Sequence, residues 1–209
     1  MDNLDTEIRS SYRENNFGEI LQQYVLTWKP VSFVELGVLD GYSTLFIAQG
    51  VKQNQKMHNI NAKLDAYDLF DDYAFKHGNQ ESVNMMLKEH GVGDYVNLIK
   101  GNAYEVYSRY PNMIPNEVKG IEFLHIDISN TGKVIHDLME LWHPKIGWRG
   151  VVAIEGGSDE RDNVEWMKKY NMPSIKVELS TSELISKYYF IATYFKFPSL
   201  TILIRKWWN

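Results

Sequence analysis

The sequence has no cysteine among its 209 residues. Disulfide bonds, thiolate zinc sites and cysteine nucleophiles are therefore excluded, and the fold must depend on a hydrophobic core. A composition that is 44% hydrophobic and 23% charged is sufficient for such a core at this length. No internal repeat or flexible linker interrupts the chain, so we expect one α/β domain over residues 1–209.

Long hydrophobic runs are also missing. No window of 18 residues is apolar and uncharged, and the N-terminal stretch MDNLDTEIRSSYRENN is polar and acidic. These features predict neither a membrane-spanning helix nor a secretory leader. A soluble cytoplasmic protein without a membrane partner is the simplest expectation.

Basic residues are fewer than acidic ones, with 22 Lys and Arg against 27 Asp and Glu and a formal net charge of −5. Proteins that bind nucleic acid through its phosphates usually carry clustered Lys and Arg. No such cluster is evident, so we expect no nucleic-acid partner. The adjacent Trp207 and Trp208 indicate packing or an oligomer contact, which leaves a homodimer open.

Apolar runs alternate with segments of helical periodicity along most of the chain. The runs at 31–36, 63–69, 95–101, 121–127 and 150–157 predict five strands, and residues 4–28 predict a helix that Pro30 ends. This alternation favours a mostly parallel sheet with helical crossovers on both faces. The tail differs, because KYYFIATYF and SLTILIRK predict a closing antiparallel pair.

Two glycines follow the first predicted strand, at the edge of a parallel sheet where ligands bind. Gly37 and Gly41 would permit positive φ and a close approach of an adenosine-like ligand to the backbone. Their spacing fits neither G-x-G-x-x-G nor a phosphate-binding loop that continues with Gly-Lys-Ser/Thr. Glu35, two residues before Gly37, would repel a pyrophosphate but could pair with a cationic ligand or accept hydrogen bonds.

The stretch ELGVLDGYST, residues 35–44, resembles motif I of the class I S-adenosylmethionine-dependent methyltransferases. The resemblance implies a Rossmann-like, doubly wound and mostly parallel sheet of seven strands, with a C-terminal antiparallel strand and helices on both faces. It also implies S-adenosylmethionine (SAM) as cofactor and S-adenosylhomocysteine (SAH) as product. The cofactor-binding residues that it indicates in this stretch are Glu35, Gly37, Asp40, Gly41 and Ser43.

Two further cofactor contacts follow from the resemblance. The second strand of the family ends in an acid that binds both ribose hydroxyls, and Asp68 occupies that place, with Asp71 as a neighbour. The alternative is that this acidic cluster is only a solvated loop. Asn102, after the third strand, corresponds to the residue near the adenine, although a turn-forming asparagine is an equal alternative.

The fourth strand ends in LHID, which resembles motif IV of the sugar- and antibiotic-modifying and catechol-type O-methyltransferases. Those enzymes hold Mg²⁺ with this acid and with an acid pair after strand five. Here Asp127 and Glu155 are the only strong ligands, and Ser129 and Asn130 are weaker oxygen donors. Mg²⁺ is therefore an open alternative rather than the expectation. A second interpretation gives Glu155 a hydrogen-bonding role at the Gly-Gly turn, before a helix capped by Ser158 or Asp159.

Three residues are candidates for the base that would remove a proton from an acceptor hydroxyl. Asp127 is also predicted to contact the cofactor, and His125 lies two residues earlier on the same face of the strand. A packed, hydrogen-bonded histidine is an equal interpretation of His125. Lys133 resembles by position a lysine that some O-methyltransferases use, but a solvated lysine is the alternative.

The sequence thus predicts SAM-dependent methyl transfer to a small molecule, at a hydroxyl oxygen of a sugar or natural-product-like acceptor. Residues 1–30 would form a helical extension that could cover the acceptor site. One alternative is a methyltransferase that acts on RNA or protein. The acidic pI of about 5.7 is evidence against an RNA substrate. Another is a non-catalytic protein that binds an adenosine ligand with the same fold.

Overall fold

The computed structural model describes residues 8–74, 77–113 and 120–207. The chain divides into two compact units, residues 1–102 and 103–209, which are described in turn. The first residues of the predicted N-terminal helix, and Trp208, lie outside the described residues. A single domain over the whole chain stays a prediction.

In its described residues, the N-terminal unit contains three strands and three α-helices. These are α1 (Phe17–Trp28), β1 (Phe33–Leu36), α2 (Tyr42–His58), β2 (Leu64–Asp68), α3 (Gln80–Glu89) and β3 (Val96–Lys100). The predicted helix at 4–28 begins later than expected, because Asn16 adopts a left-handed backbone (φ 54°) after a short 3-10 turn over Ser11–Asn15. It ends where Lys29 is also left-handed and donates its amide to the Val25 carbonyl.

The strands of this unit are parallel, β1 pairing with β2 and β2 with β3. The register places Glu35 beside Ala66 and Asp68 beside Lys100, so Glu35 and Asp68 lie near the carboxyl ends of adjacent strands. All four residues of β1 are buried, as expected for a parallel strand covered on both faces.

Residues 103–113 and 120–207 of the C-terminal unit contain four strands and five α-helices. They are β4 (Ile121–Ile126), α4 (Gly132–Trp142), β5 (Ile146–Glu155), α5 (Asp159–Asp162), α6 (Glu165–Lys169), α7 (Ile175–Thr181), α8 (Glu183–Tyr188), β6 (Tyr189–Tyr194) and β7 (Leu200–Arg205). Strand β5 begins four residues before its predicted start. It ends at Glu155, because Gly156 and Gly157 adopt φ values of 114° and 111° that take the chain out of the strand.

Seven strands form one sheet in the order β3-β2-β1-β4-β5-β7-β6. Strand β7 runs antiparallel to both of its neighbours, whereas β4 and β5 are parallel. The predicted fold class, a mostly parallel α/β sheet of seven strands with a C-terminal antiparallel strand, is confirmed. Within the described ranges, no helix is long and apolar enough to cross a membrane.

Candidate cofactor and acceptor sites

The turn between β1 and α2 has a backbone that glycine makes possible. Gly37 and Gly41 have φ values of 94° and 83°, and residues other than glycine rarely adopt a φ in this region. The Gly37 amide donates to the Tyr67 carbonyl at 2.8 Å, which ties the turn to β2. A Cβ on Gly41 would lie 2.7 Å from Met86 Cε and 2.9 Å from Val83 Cγ1. Gly41 is therefore required by both conformation and packing.

Glu35 holds the start of α2. Its side chain is fully buried, and its two carboxylate oxygens accept hydrogen bonds from Ser43 Oγ at 2.7 Å and Thr44 Oγ1 at 2.6 Å. These two hydroxyls belong to the first turn of α2, so the carboxylate fastens the helix to β1. Direct contact of Glu35 or Ser43 with the cofactor stays a prediction, while the contacts in the structure give both residues a role in fixing the turn.

Asp68 holds the same turn from the neighbouring strand. Its Oδ2 accepts from the backbone amides of Val38 at 2.7 Å and Leu39 at 3.1 Å, and its Oδ1 accepts from the Phe70 amide at 2.7 Å. A carboxylate offers about four acceptor positions, so three donors leave room for about one more. The predicted bond to a ribose hydroxyl fits this remaining position, and it stays a prediction.

The other acids after β2 have a different environment. Asp71 and Asp72 pair with Lys100 Nζ at 3.1 Å and 2.7 Å, and their side chains are 76% and 63% exposed. The hydrogen bond from Lys100 lowers the pKa of Asp71. The structure thus separates Asp68, at the turn, from a solvated ion pair, and the solvated-loop interpretation describes only Asp71 and Asp72.

Asp40, a further predicted cofactor residue, is paired with Arg9. Arg9 Nε and Nη2 donate to its carboxylate at 2.5 Å and 2.7 Å, and Nη2 also donates to the His77 carbonyl at 3.1 Å. Sequence reasoning missed Arg9, since no local signal links positions 31 residues apart.

Asn102 lies directly after Gly101, whose amide donates a hydrogen bond to the Asp68 carbonyl at 2.9 Å. The contact of Asn102 with adenine stays a prediction.

In the C-terminal unit, Glu155 forms a buried ion pair at the end of β5. It is 4% exposed, and its two oxygens accept from Arg161 Nε at 2.5 Å and Nη2 at 3.0 Å. Burial and the nearby Asp127 carboxylate raise the pKa of Glu155, and the Arg161 guanidinium opposes this shift. Asp127 directly follows β4 and is half-buried.

The turn after β5 brings Arg161 back onto Glu155. Gly156 and Gly157 reverse the chain, and the Ser158 hydroxyl then accepts from the Arg161 amide at 3.2 Å as the N-cap of α5. The predicted helix start at Ser158 is confirmed. Sequence reasoning did not identify Arg161, although a Gly-Gly turn and a capping serine before an arginine are a local signal for such a reversal.

Glu155 and Asp127, the predicted metal ligands, do not fit Mg²⁺ in this structure. The guanidinium of Arg161 occupies both oxygens of Glu155, and its positive charge would repel a divalent cation. Across residues 8–74, 77–113 and 120–207, no group of three or more His, Asp or Glu could hold a metal ion. We therefore derive no catalytic step through a metal.

The environments of His125 and Lys133 favour a packed histidine and a solvated lysine over a catalytic base. His125 is fully buried within β4, as a packed histidine would be. Lys133 is 71% exposed, and its Nζ lies 2.6 Å from an Asp137 oxygen, which raises the pKa of the lysine and keeps it protonated. Lys133 also borders a groove of about 370 Å³ whose other lining residues are Gly132, His136, Pro173, Ser174, Val177 and Glu178. Asp127 remains the predicted base.

Solved structures of methyltransferases share this fold. TomG, an O-methyltransferase from Streptomyces achromogenes, is 13% identical, with 99% of this chain and 91% of that chain covered and a TM-score of 0.67. An O-methyltransferase from Bacillus cereus is 15% identical, with 97% and 86% covered and a TM-score of 0.65. A methyltransferase from Geobacter sulfurreducens is also 15% identical, with 93% and 84% covered and a TM-score of 0.63. The fold is thus that of a class containing methyltransferases.

The family follows from the sequence itself. A family model described as a methyltransferase domain matches residues 34–155, more than half of the chain. The chain belongs to this family of methyltransferase domains. The matched range begins within β1 and ends at Glu155, so it includes the glycine turn, Asp68 and Asp127. No curated protein sequence matches the chain.

Proposed function

We propose that this protein is a SAM-dependent O-methyltransferase that acts on a hydroxyl group of a small molecule. The turn after β1 carries the proposal, because two glycines open its backbone while the carboxylates of Glu35 and Asp68 fix it from adjacent strands. The family of methyltransferase domains supports it. TomG was solved with SAM and the Bacillus cereus enzyme with SAH, which supports the choice of cofactor.

The charges at the turn suit a cationic adenosine cofactor. The buried carboxylate of Glu35 contributes negative potential, which favours a sulfonium over a pyrophosphate. The remaining acceptor position of Asp68 suits a ribose hydroxyl, since a hydroxyl donates to a carboxylate. Gly37 lets the ligand approach the main chain without meeting a Cβ, and Gly41 lets the turn pack against Met86 and Val83.

SAM supplies a methyl group that the sulfonium activates for displacement. Held at the turn after β1 by Asp68 and the backbone at Gly37, SAM would supply this methyl group to the acceptor oxygen and would leave as SAH. The proton of the acceptor hydroxyl passes to the carboxylate of Asp127. The protein therefore has to align the acceptor and remove one proton, and neither task requires a covalent intermediate with the protein.

The charge of the protein and one similar structure support a small acceptor. TomG is involved in tomaymycin synthesis, which supports a sugar or natural-product-like acceptor. The net charge of −5 speaks against a nucleic-acid substrate. A cytoplasmic location and a homodimer stay predictions.

Transfer of an isotopic label tests the proposal. The protein is incubated with methyl-labelled SAM and separate panels of sugars, phenols and hydroxylated natural products, total RNA and a peptide mixture, and products are identified by mass spectrometry. Label on a small-molecule hydroxyl oxygen is expected, with a lower kcat for Asp127→Asn. Label on RNA or peptide alone would contradict the proposed acceptor class. SAH binding without any transfer would favour the non-catalytic alternative.

A further inference from the structure

The ion pair of Glu155 and Arg161 occupies the end of β5, where the resemblance would place ligands of a divalent cation. The side chains are 5% and 8% exposed, and the guanidinium donates to one carboxylate oxygen through Nε and to the other through Nη2. This two-point geometry fixes the guanidinium plane against the carboxylate. A positive charge is thus built into the protein at this position.

Two polar atoms next to this pair are unsatisfied. In the described part of the chain, Arg161 Nη1 and Asn130 Oδ1 are buried and have no hydrogen-bond partner. The Asn130 amide nitrogen donates to the Ile126 carbonyl at 3.1 Å and the Glu155 carbonyl at 2.9 Å, so the asparagine is held firmly with its oxygen unused. Arg161 Nη2 lies 3.4 Å from the Asn130 carbonyl oxygen, which brings the two residues together.

Buried polar atoms are almost always hydrogen-bonded, so an unused donor on Arg161 and an unused acceptor on Asn130, two residues in contact, call for an explanation. A ligand with an oxygen to accept from Nη1 and a neighbouring O–H or N–H to donate to Oδ1 would satisfy both atoms. The proposed acceptor is such a molecule, since its reacting group is a hydroxyl. A fixed guanidinium at that oxygen would also stabilise the negative charge that develops as the proton leaves.

We propose that Arg161 takes the place of a divalent cation in this protein and, together with Asn130, binds the acceptor at its reacting oxygen. Nη1 donates to that oxygen, Asn130 Oδ1 accepts from a neighbouring donor of the acceptor, and Glu155 holds the guanidinium in position. Methyl transfer is then independent of metal. This inference rests on the proposed function and adds to it the group that replaces the cation.

Access to the site involves Trp166. The centre of a Trp166 ring lies 5.3 Å from the guanidinium carbon, and this side chain is half-buried. Because Nη1 and Oδ1 are closed to solvent in the structure, the acceptor reaches them by displacing neighbouring side chains, and the indole of Trp166 is the one over the guanidinium. Acceptor binding should therefore change Trp fluorescence.

The dependence on metal is the first test. Wild-type protein with SAM and an acceptor identified by label transfer is assayed after exhaustive chelation with EDTA, and Mn²⁺ binding is followed separately by electron paramagnetic resonance with SAH present. An unchanged rate and an unchanged signal of free Mn²⁺ are expected. Loss of transfer on chelation, or binding of Mn²⁺ by the wild type that Asp127→Asn abolishes, would overturn the inference.

Removal of the guanidinium is the second test. Arg161→Met should lower kcat/KM for the acceptor by about 100-fold, the loss typical of one donor to a developing oxyanion, with SAH affinity unchanged. The same variant should bind Mn²⁺, because Arg161 no longer occupies the oxygens of Glu155, which lies near the Asp127 carboxylate. Arg149→Met removes an exposed arginine of β5, the strand that carries Glu155, and should change neither quantity.

A folded Arg161→Met variant that keeps wild-type kcat/KM, or leaves the Mn²⁺ signal unchanged, would overturn the inference. Arg161→Met leaves the Glu155 carboxylate buried without its partner, and this single variant is the one at risk of not folding. The double variant Glu155→Gln/Arg161→Met removes that unpaired carboxylate and so provides a second test. This double variant should lose transfer and bind no Mn²⁺, and full transfer activity would count against the proposal. A wild type that binds no SAH or transfers no label would instead sink the proposed function itself.

Discussion

The Asp68 carboxylate accepts a hydrogen bond from the backbone amide of Val38 at a distance of 2.7 Å. The acid that ends β2 therefore holds the turn that follows β1, in addition to its predicted contact with the ribose. This predicted contact would couple ligand affinity to the order of the turn, because one side chain would serve both. Substitutions around this bond should change SAM binding and stability together.

Asp68→Ala removes the acceptor of three backbone amides. We expect SAM affinity to fall about tenfold or more, from the loss of about 1.5 to 3 kcal/mol of charge-assisted hydrogen bonding, and the free energy of unfolding to fall as well. Isothermal titration calorimetry and urea denaturation measure the two effects.

Asp65→Ala and Asp71→Ala are controls for this prediction. Asp65 accepts a hydrogen bond from Asn97 Nδ2 at 2.8 Å, and Asp71 belongs to the exposed pair with Lys100. Both should bind SAM with wild-type affinity, since exposed pairs contribute little. If Asp71→Ala weakened binding and Asp68→Ala did not, Asp71 would be the ribose ligand.

Glu35→Gln tests the buried link between β1 and α2. A glutamine keeps one acceptor oxygen but directs an N–H₂ group at a hydroxyl that now donates to a carboxylate oxygen. We expect the free energy of unfolding to fall by about 1 to 3 kcal/mol in urea denaturation. Glu19→Gln, at an exposed position of α1, should change it by less than about 0.5 kcal/mol. Equal stability of the two variants would contradict the role given to Glu35.

Gly41→Ala tests the requirement for glycine at the turn. The new Cβ would meet Met86 Cε and Val83 Cγ1 within 3 Å and would also strain a backbone at φ 83°. Gly91→Ala is a matched control, since Gly91 has φ 65° but its Cβ would meet only Lys52 Nζ, at 3.2 Å. Both variants lose about 1 kcal/mol of stability or more to the left-handed backbone.

Comparing these two glycine variants separates the effects of packing and ligand binding from the cost of the left-handed backbone, which both variants share. Gly41→Ala should lose about 1 to 3 kcal/mol beyond the loss of Gly91→Ala, and only Gly41→Ala should weaken SAH binding. Thermal unfolding with and without saturating SAH measures both effects. An SAH-dependent shift in Tm for Gly41→Ala equal to that of the wild type would show that the turn is not the cofactor site.

His143 should make stability depend on pH. Burial, with a contribution from Arg205, lowers the pKa of His143 to about 4. Its Nδ1 lies 2.9 Å from the Tyr189 hydroxyl, and its ring packs on Tyr188 at 4.6 Å between centroids. Between pH 4 and about 6.5 the unfolded chain binds a proton at this residue that the native state does not, so stability rises with pH across this window.

Urea denaturation between pH 4 and 7.5 measures this dependence. The slope from one proton is at most about 1.4 kcal/mol per pH unit, and the partial exposure of His143 makes it smaller. In His143→Gln the stability should depend less on pH over this range. Parallel curves for wild type and variant would contradict the assignment to His143.

The fold was predictable from the sequence because its signals are local. The apolar run before Gly37, the Gly-Gly pair after β5 and the two tail strands each mark an element through a few neighbouring residues. The prediction placed the start of α1 too early, since the left-handed Asn16 that interrupts the helix has no unambiguous pattern. The start of β5 was placed too late, because Gly147 and Gly150 give the run IGWRG the composition of a turn.

The candidate site was only partly predictable. The resemblance indicated Gly37 and Gly41 after the first strand and Asp68 at the end of the second as cofactor residues, and the structure brings Asp68 to the backbone of the turn. It did not predict that Arg161 would occupy Glu155, nor that Arg9 would pair with Asp40. The pair of Arg9 and Asp40 depends on tertiary structure, because 31 residues separate its members, whereas the Gly-Gly turn before Arg161 was a local signal that was not used.

The central claim is that the turn after β1 binds SAM, and calorimetric titration of the wild-type protein with SAH tests it most directly. The account predicts saturable binding of one SAH per chain, with Gly41→Ala binding more weakly and Gly91→Ala binding as the wild type does. The absence of saturable binding to the folded wild type at millimolar SAH would contradict the account, as would binding that Gly41→Ala leaves unchanged.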